Sequence, residues 1–148
     1  MYDAYYDDVV IGDSAEYGGV TVTESHVVGF AGLTGDHHRL HTDAEFAARS
    51  RYGQRIVHGF LVLSLSAGLF PMDPERVIAF YGMEGVRFLR PTFLGDTLRC
   101  RLTVVAKEPK PGGGVVDTAM EMVNQRDEVV AVARLRILVA GRPDEAAA

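Results

Sequence analysis

An aspartate and three histidines, Asp36, His37, His38 and His41, fall within six positions of one another in the stretch LTGDHHRLHTD, directly after a glycine. Two chemistries are open to such a set. Carboxylate oxygens and imidazole nitrogens are ligands for a divalent metal, with His58 as a further donor. A carboxylate and an imidazole of ordinary pKa, about 6.5, also make a proton-transfer pair at neutral pH. Neighbouring side chains point apart in helix, strand and most turns, so His37 and His38 do not both converge on one ion, and no metal site is assigned. Asp36 and His41, five apart across a turn, can meet at one water or one substrate carbon. An aspartate in such a turn also has an ordinary structural use, accepting a backbone N–H two residues on. His37 and His38 read as solvent-facing.

A second pair, His58-Gly59, opens the most apolar segment of the chain, HGFLVLSLSAGLF. His58 is placed either to cap a helix there or to face the cavity that Asp36 and His41 share. Gly59 is the sharper feature. A glycine at a helix N-terminus lets a ligand approach a backbone N–H, and the helix dipole favours an oxygen that carries partial negative charge.

These residues need elements to hold them. Thr23 can cap a helix in which Val27, Phe30, Ala31 and Leu33 recur at helical spacing and which Gly35 ends. Thr42 or Asp43 can cap a short second helix, AEFAARS. From Phe60 to Leu69 apolar residues cover most of the circumference, which predicts a long buried helix stopped between Gly68 and Pro71. From Val77 onward the period changes to two: Leu98, Cys100, Leu102 and Val104 share one strand face, and Ala131, Ala133, Leu135 and Ile137 another. Turns are expected at Gly95-Asp96, at KPGGG and at Arg126-Asp127. The fold class is therefore α+β: one antiparallel sheet curled around a long central helix, in a single domain over residues 1–148, with 141–148 expected as a frayed tail. Such a sheet leaves an edge to cover, which suggests a homodimer or a higher even homo-oligomer that continues it.

Composition excludes several classes. The apolar run Phe60 to Leu63, like every other in the chain, falls far short of the roughly 20 residues of a membrane span, so no membrane partner is expected. The start, with three aspartates before residue 9, has no basic leader, and the cytoplasm is the expected compartment. The lone Cys100 has no disulfide partner within the chain and reads as a small buried hydrophobe. A net charge of −5 without a basic block argues against nucleic acid.

The segment FAGLTGDHHRLHTDAEFAARSRYGQRIVHGFLVLSLSAGL resembles the signature of the MaoC-like, (R)-specific enoyl-CoA hydratases and 3-hydroxyacyl dehydratases, a hotdog-fold family. The family pattern G-D-x-x-x-x-H, followed by H-G-hydrophobic, falls on Gly35-Asp36, His41 and His58-Gly59-Phe60. VRFLRPTFLGDTLRCRLTV resembles the family's later strand region, and DDVVIGD its opening strand. The resemblance implies a hotdog fold and reversible hydration of a trans-2-enoyl thioester to an (R)-3-hydroxyacyl thioester. Asp36 and His41 would be its catalytic pair and the Gly59 N–H its oxyanion donor. It also implies His58, Phe60 and Ser64 as substrate-binding residues, an acyl-CoA or acyl-carrier substrate, and no cofactor beyond the substrate's own coenzyme A. Two positions depart from the pattern: His38-Arg39 stands where the family commonly has Asn-Pro, and a serine beside the pair in some members falls at Ala67, near Ser64 and Ser66.

Arg49, Arg51, Arg55, Arg87 and Arg90 are the candidate cations for the carrier's phosphates. Phe60, Leu63 and Leu65 read as core first and acyl-pocket lining second. Tyr2, Tyr5 and Tyr6 read as an amphipathic segment or a dimer contact. A hotdog thioesterase would need a carboxylate on the central helix, and Gly59 to Leu69 contains neither Asp nor Glu. A tailoring dehydratase acting on a carrier-bound chain would share the same pair.

Overall fold

Period-two alternation builds the frame. The computed structural model describes residues 1–143. Its five strands are β1 (Ser14–Thr21), β2 (Val77–Phe88), β3 (Thr97–Lys110), β4 (Gly113–Val123) and β5 (Val129–Ala140). They form one sheet in the order β1-β3-β4-β5-β2, every neighbouring pair antiparallel. Leu98, Cys100, Leu102 and Val104 of β3 and Ala131, Leu135 and Ile137 of β5 are buried in one core, as the alternation requires. The residues between them face the other way, where Arg99 and Arg101 pair with Glu16 and Asp127, and Arg134 and Arg136 with Asp117.

All three expected turns form. Gly95 takes φ +89°, and Asp96 beside it accepts the Phe93 N–H at 2.9 Å and the Gln125 amide at 2.8 Å. The Gly-Asp-Thr motif is therefore a buried turn lock rather than part of the site. Gly112 carries φ +78° between β3 and β4, and Asp127 sits at φ +59° before β5, where Asn124 Oδ1 accepts the Arg126 and Glu128 N–H groups.

Four helices are added to the sheet: α1 (Glu24–Thr34), α2 (Arg39–Thr42), α3 (Ala44–Ala48) and α4 (Gly59–Ala67). Thr23 caps α1 with an uncommon partner, its backbone N–H donating to His26 Nδ1 at 3.0 Å, and Gly35 closes the helix in the left-handed region at φ +76°. Asp43 caps α3 by accepting the Phe46 N–H at 2.8 Å. The one-turn α2 was not expected from the sequence; its cap is His38, whose Nδ1 accepts the Leu40 N–H at 3.2 Å.

Helix α4 corrects the expected long buried helix. It has nine residues, about 14 Å at 1.5 Å per residue, because the Gly68 N–H bonds back to Leu65 and tightens the last turn ahead of Pro71. Leu61, Val62 and Leu63 are buried, each stabilising the fold by about 1.5–3 kcal/mol. Phe60 is 73% exposed and Ser64 is also exposed, so one face of α4 stays open.

Tyr2 takes a core place, its hydroxyl 2.6 Å from Thr118 Oγ1, while the Tyr6 ring packs on Gly114. Of the expected tail, residues 144–148 lie outside the described residues. Gly141 and Arg142 are tied down: the Gly141 N–H donates to Gly112 O, and the Arg142 N–H donates to Asp7 Oδ2 at 2.8 Å. Among the described residues no helix is long and apolar enough to cross a membrane.

Candidate active site

Three short pieces of backbone meet at the exposed end of α4: the turn after Gly35, helix α2, and the loop that runs into His58. The loop is stitched from both sides. The Ile56 N–H donates to Leu40 O at 3.1 Å, and the Val57 N–H donates to Thr92 O at 2.8 Å. The Ile56 carbonyl in turn accepts His41 Nδ1–H at 2.7 Å. A carbonyl oxygen only accepts, so Nδ1 carries the proton and Nε2 keeps its lone pair.

Asp36 takes up the structural use that its sequence position allows. Its Oδ1 accepts the His38 N–H at 3.2 Å, the turn-capping bond, while Oδ2 has no partner among the described residues. One ligand-type atom from each of Asp36, His41 and His58 lies within 4.8 Å of the other two. The His41 and His58 rings stack, centroids 3.9 Å apart and planes 30° apart. Stacked rings hold their lone pairs in near-parallel planes, and each ring commits one nitrogen as an N–H donor to a carbonyl. The arrangement fits proton transfer better than a closed tetrahedral ion site with ~2.0–2.1 Å metal–nitrogen bonds.

His58 takes the N-cap position of α4, but its ring makes no cap bond; Nε2–H instead donates to the Asp36 carbonyl at 3.0 Å. It is 1% exposed and lies behind His41, packed also on Phe30 at 5.1 Å. The family resemblance implies His58 as a substrate-binding residue; burial places it one layer back.

Gly59 lines the open cleft, about 390 Å³, together with His41, Phe60, Val62, Phe88 and Thr92. Its N–H begins α4, where the first N–H groups of a helix have no intrahelical acceptor. The glycine has a second reason that the sequence did not show. A Cβ here would meet three atoms of the Phe88 ring at 2.7–2.9 Å, so the glycine lets Phe88 of β2 pack directly on the helix end. Ser64 is turned back onto Phe60 O at 2.8 Å and does not line the cleft. Of the candidate cations, Arg51 and Arg90 reach the cleft. Arg55 is paired with Glu24, and Arg49 stands 4.0 Å from Glu45.

Burial holds His41 below its ordinary value of 6.5. The Ile56 hydrogen bond and the Asp36 charge oppose that, while His58 and His38 add to it. The folded state thus prefers neutral His41. This contribution to stability is full above the unfolded value and is lost as pH falls through the folded one. An NMR titration of the His41 ring should give a midpoint below 6.5; a midpoint above it would mean that the Asp36 carboxylate outweighs burial.

Comparison with known proteins gives the family. The model of the MaoC like domain matches residues 9–126. The chain is 45% identical over 107 residues to Protein MaoC of Klebsiella aerogenes, covering 72% of this chain but 32% of that protein, about a third of its length. It is 34% identical over 108 residues to 3-hydroxyacyl-thioester dehydratase Z of Mycobacterium tuberculosis, covering 70% of this chain and 72% of that one. Among solved structures, a Monoamine oxidase regulatory protein from Archaeoglobus superposes with TM-score 0.89 at 40% identity, over 95% of this chain and 96% of that one. An R-hydratase of Pseudomonas aeruginosa gives 0.79 at 30%, over 93% and 86%. A Mycobacterium tuberculosis protein described as a double hotdog fold gives 0.84 at 27%, over 95% of this chain and 45% of that one. With its antiparallel sheet packed on α4 and its Asp-His-Gly cluster at the helix end, the chain belongs to the MaoC-like domain family and has the hotdog fold.

Proposed function

We propose that this protein is a hydro-lyase that reversibly hydrates a trans-2-enoyl thioester, in the first instance an enoyl-CoA, to the (R)-3-hydroxyacyl thioester. The observation that carries the reading is the His41 Nε2 lone pair, fixed by the Ile56 carbonyl, beside the unpartnered Asp36 oxygen and the cleft-lining start of α4. Hydration forms a C3–O bond to water, breaks the C2=C3 π bond and places a proton on C2, while negative charge grows on the thioester oxygen. Asp36 and His41 together hold the water and move its protons. The Gly59 N–H, at the positive end of α4, serves the thioester oxygen. The product's R configuration and its 3-hydroxyacyl class follow the names of the relatives, one of them an (R)-specific enoyl-CoA hydratase of Aeromonas caviae, 35% identical over 88 residues. The chemistry calls for no cofactor beyond coenzyme A carried by the substrate. Arg51 and Arg90 at the cleft are the cations nearest to hand for its phosphates. A thioesterase reading is weaker, since α4 carries no carboxylate to direct water at the thioester carbon.

The test is absorbance of a short trans-2-enoyl-CoA with free thiol followed in parallel. Loss of the conjugated chromophore without thiol release is expected. Thiol release would move the protein to the thioesterases.

The reading includes a second copy of this chain. β2 is an edge strand of twelve residues whose outer side pairs with nothing among the described residues, and Ile78, Phe80, Tyr81 and Phe88 on it are exposed. Phe60, 73% exposed, lines the cleft together with Phe88 and extends the apolar area. An antiparallel partner strand on β2 would pair the free edge and cover this surface without a foreign protein. Sedimentation should show a dimer that Ile78→Lys shifts to monomer; a monomeric wild type at micromolar concentration would remove the second copy from the proposal.

A further inference from the structure

We propose that His58 is the positioning residue of the Asp36–His41 pair, a buried imidazole that holds Asp36 through its carbonyl and His41 through its ring. The inference rests on the reaction proposed above for its kinetic arm and on geometry alone for its spectroscopic arm.

Asp36 sits on an exposed turn, outside any helix or strand, at a point where the chain has just passed through the left-handed Gly35. Two bonds fix its backbone: its N–H donates to Thr34 Oγ1 at 3.2 Å, and its carbonyl accepts His58 Nε2–H at 3.0 Å. Thr34 belongs to the same surface segment and is itself exposed. His58, 22 residues on, is the anchor that ties the turn to buried structure. The same ring forms the back wall against which His41 lies, so one side chain sets the position of one partner and the plane of the other. Its backbone sets the third component: His58 is the N-cap of α4, its carbonyl accepts the Val62 N–H, and Gly59 follows directly.

The protonation state follows from the partners. The Asp36 carbonyl can only accept, so the proton is on Nε2. The His58 Nδ1 is buried without a partner, and a proton there would be an orphaned charged donor. The ring is therefore the Nε2–H tautomer.

The experiment compares His58→Gln, which can keep an N–H donor to the Asp36 carbonyl, with His58→Phe, which keeps a stacked ring and loses the donor. A displacement of about 1 Å in a catalytic group costs about 10²-fold. His58→Phe is therefore expected to lower kcat about 10- to 100-fold with KM held within about threefold and thermal stability close to wild type. His58→Gln is expected to recover most of the lost kcat. Long-range 1H–15N spectra of the wild type, recorded without substrate, should show the His58 tautomer protonated at Nε2 and bare at Nδ1. In His58→Phe the Asp36 and His38 amide signals should move. A His58 bare at Nε2, or a folded His58→Phe with wild-type kcat, overturns the proposal. If the wild type hydrates no enoyl thioester, the proposed reaction fails by itself, and the tautomer and amide shifts still decide whether His58 holds the turn. If both variants unfold, the wild-type tautomer decides it.

Discussion

Asp36→Asn should leave a folded protein whose hydration rate is lower by about 10²–10⁴-fold, the range that positioned acid–base groups supply. The amide is nearly isosteric with the carboxylate and keeps an oxygen to accept the His38 N–H, so the turn bond at 3.2 Å survives. What goes is the charge and the proton affinity of the oxygen that faces His41. A purely capping Asp36 would give the opposite pattern: near-full activity in the Asn variant and about 1 kcal/mol of lost stability in Asp36→Ala. The variant is most informative in a cycle with His41→Gln. On the proposed mechanism the two groups share one water, so the double variant should be little slower than either single one, as is usual for residues that act as a unit. Losses that simply add would mean that Asp36 and His41 act in separate steps, and the shared-water mechanism would have to be abandoned.

How much of this was legible beforehand differs from element to element, and the differences have physical causes. Strands β3 and β5 could be read residue by residue because one face is fully buried, and a one-residue slip would expose Leu98, Leu102, Leu135 and Ile137 together. The Asp36–His41 relation was legible because it lies within one local turn. The extent of α4 was not. Its apolar residues surround the helix in composition, but Phe60 points outward because β2 and the 88–92 segment leave that side open, a tertiary fact with no local signal. The role of His58 was hidden for the same reason. Its hydrogen-bond partner is 22 residues away, and the sequence could not distinguish a ring that caps its own helix from one that reaches across to another turn. Helix α2 escaped because four residues, Arg39–Thr42, carry no periodicity, and its cap is a histidine rather than a Ser, Thr, Asp or Asn.

Gly59→Ala is expected to be the most damaging single-methyl change at the cleft. Neither the backbone of Gly59 nor the helix forbids alanine, which is the better helix former by about 1 kcal/mol. The obstacle is Phe88, whose ring atoms would stand 2.7–2.9 Å from the new Cβ, well inside contact distance. Phe88 is half exposed at the end of an edge strand, so the ring can yield by turning outward. Overpacking of this kind costs about 1–3 kcal/mol, and the displaced ring would fill the cleft that Gly59 and Phe88 both line. Gly59→Ala should therefore lose about 1–3 kcal/mol of stability in denaturant melts. It should also lose about 10²-fold or more in kcat/KM, because the N–H that serves the thioester oxygen and the space in front of it shift together. Phe88→Leu separates the two causes. Combined with Gly59→Ala it removes the clashing ring tip, so stability should return most of the way and activity should follow only if the α4 N–H regains its place. If the double variant is stable but still inactive, the Gly59 methyl itself blocks the thioester. If Gly59→Ala alone is stable and active, the packing of Phe88 on the helix end and the oxyanion role assigned to this N-terminus are both wrong.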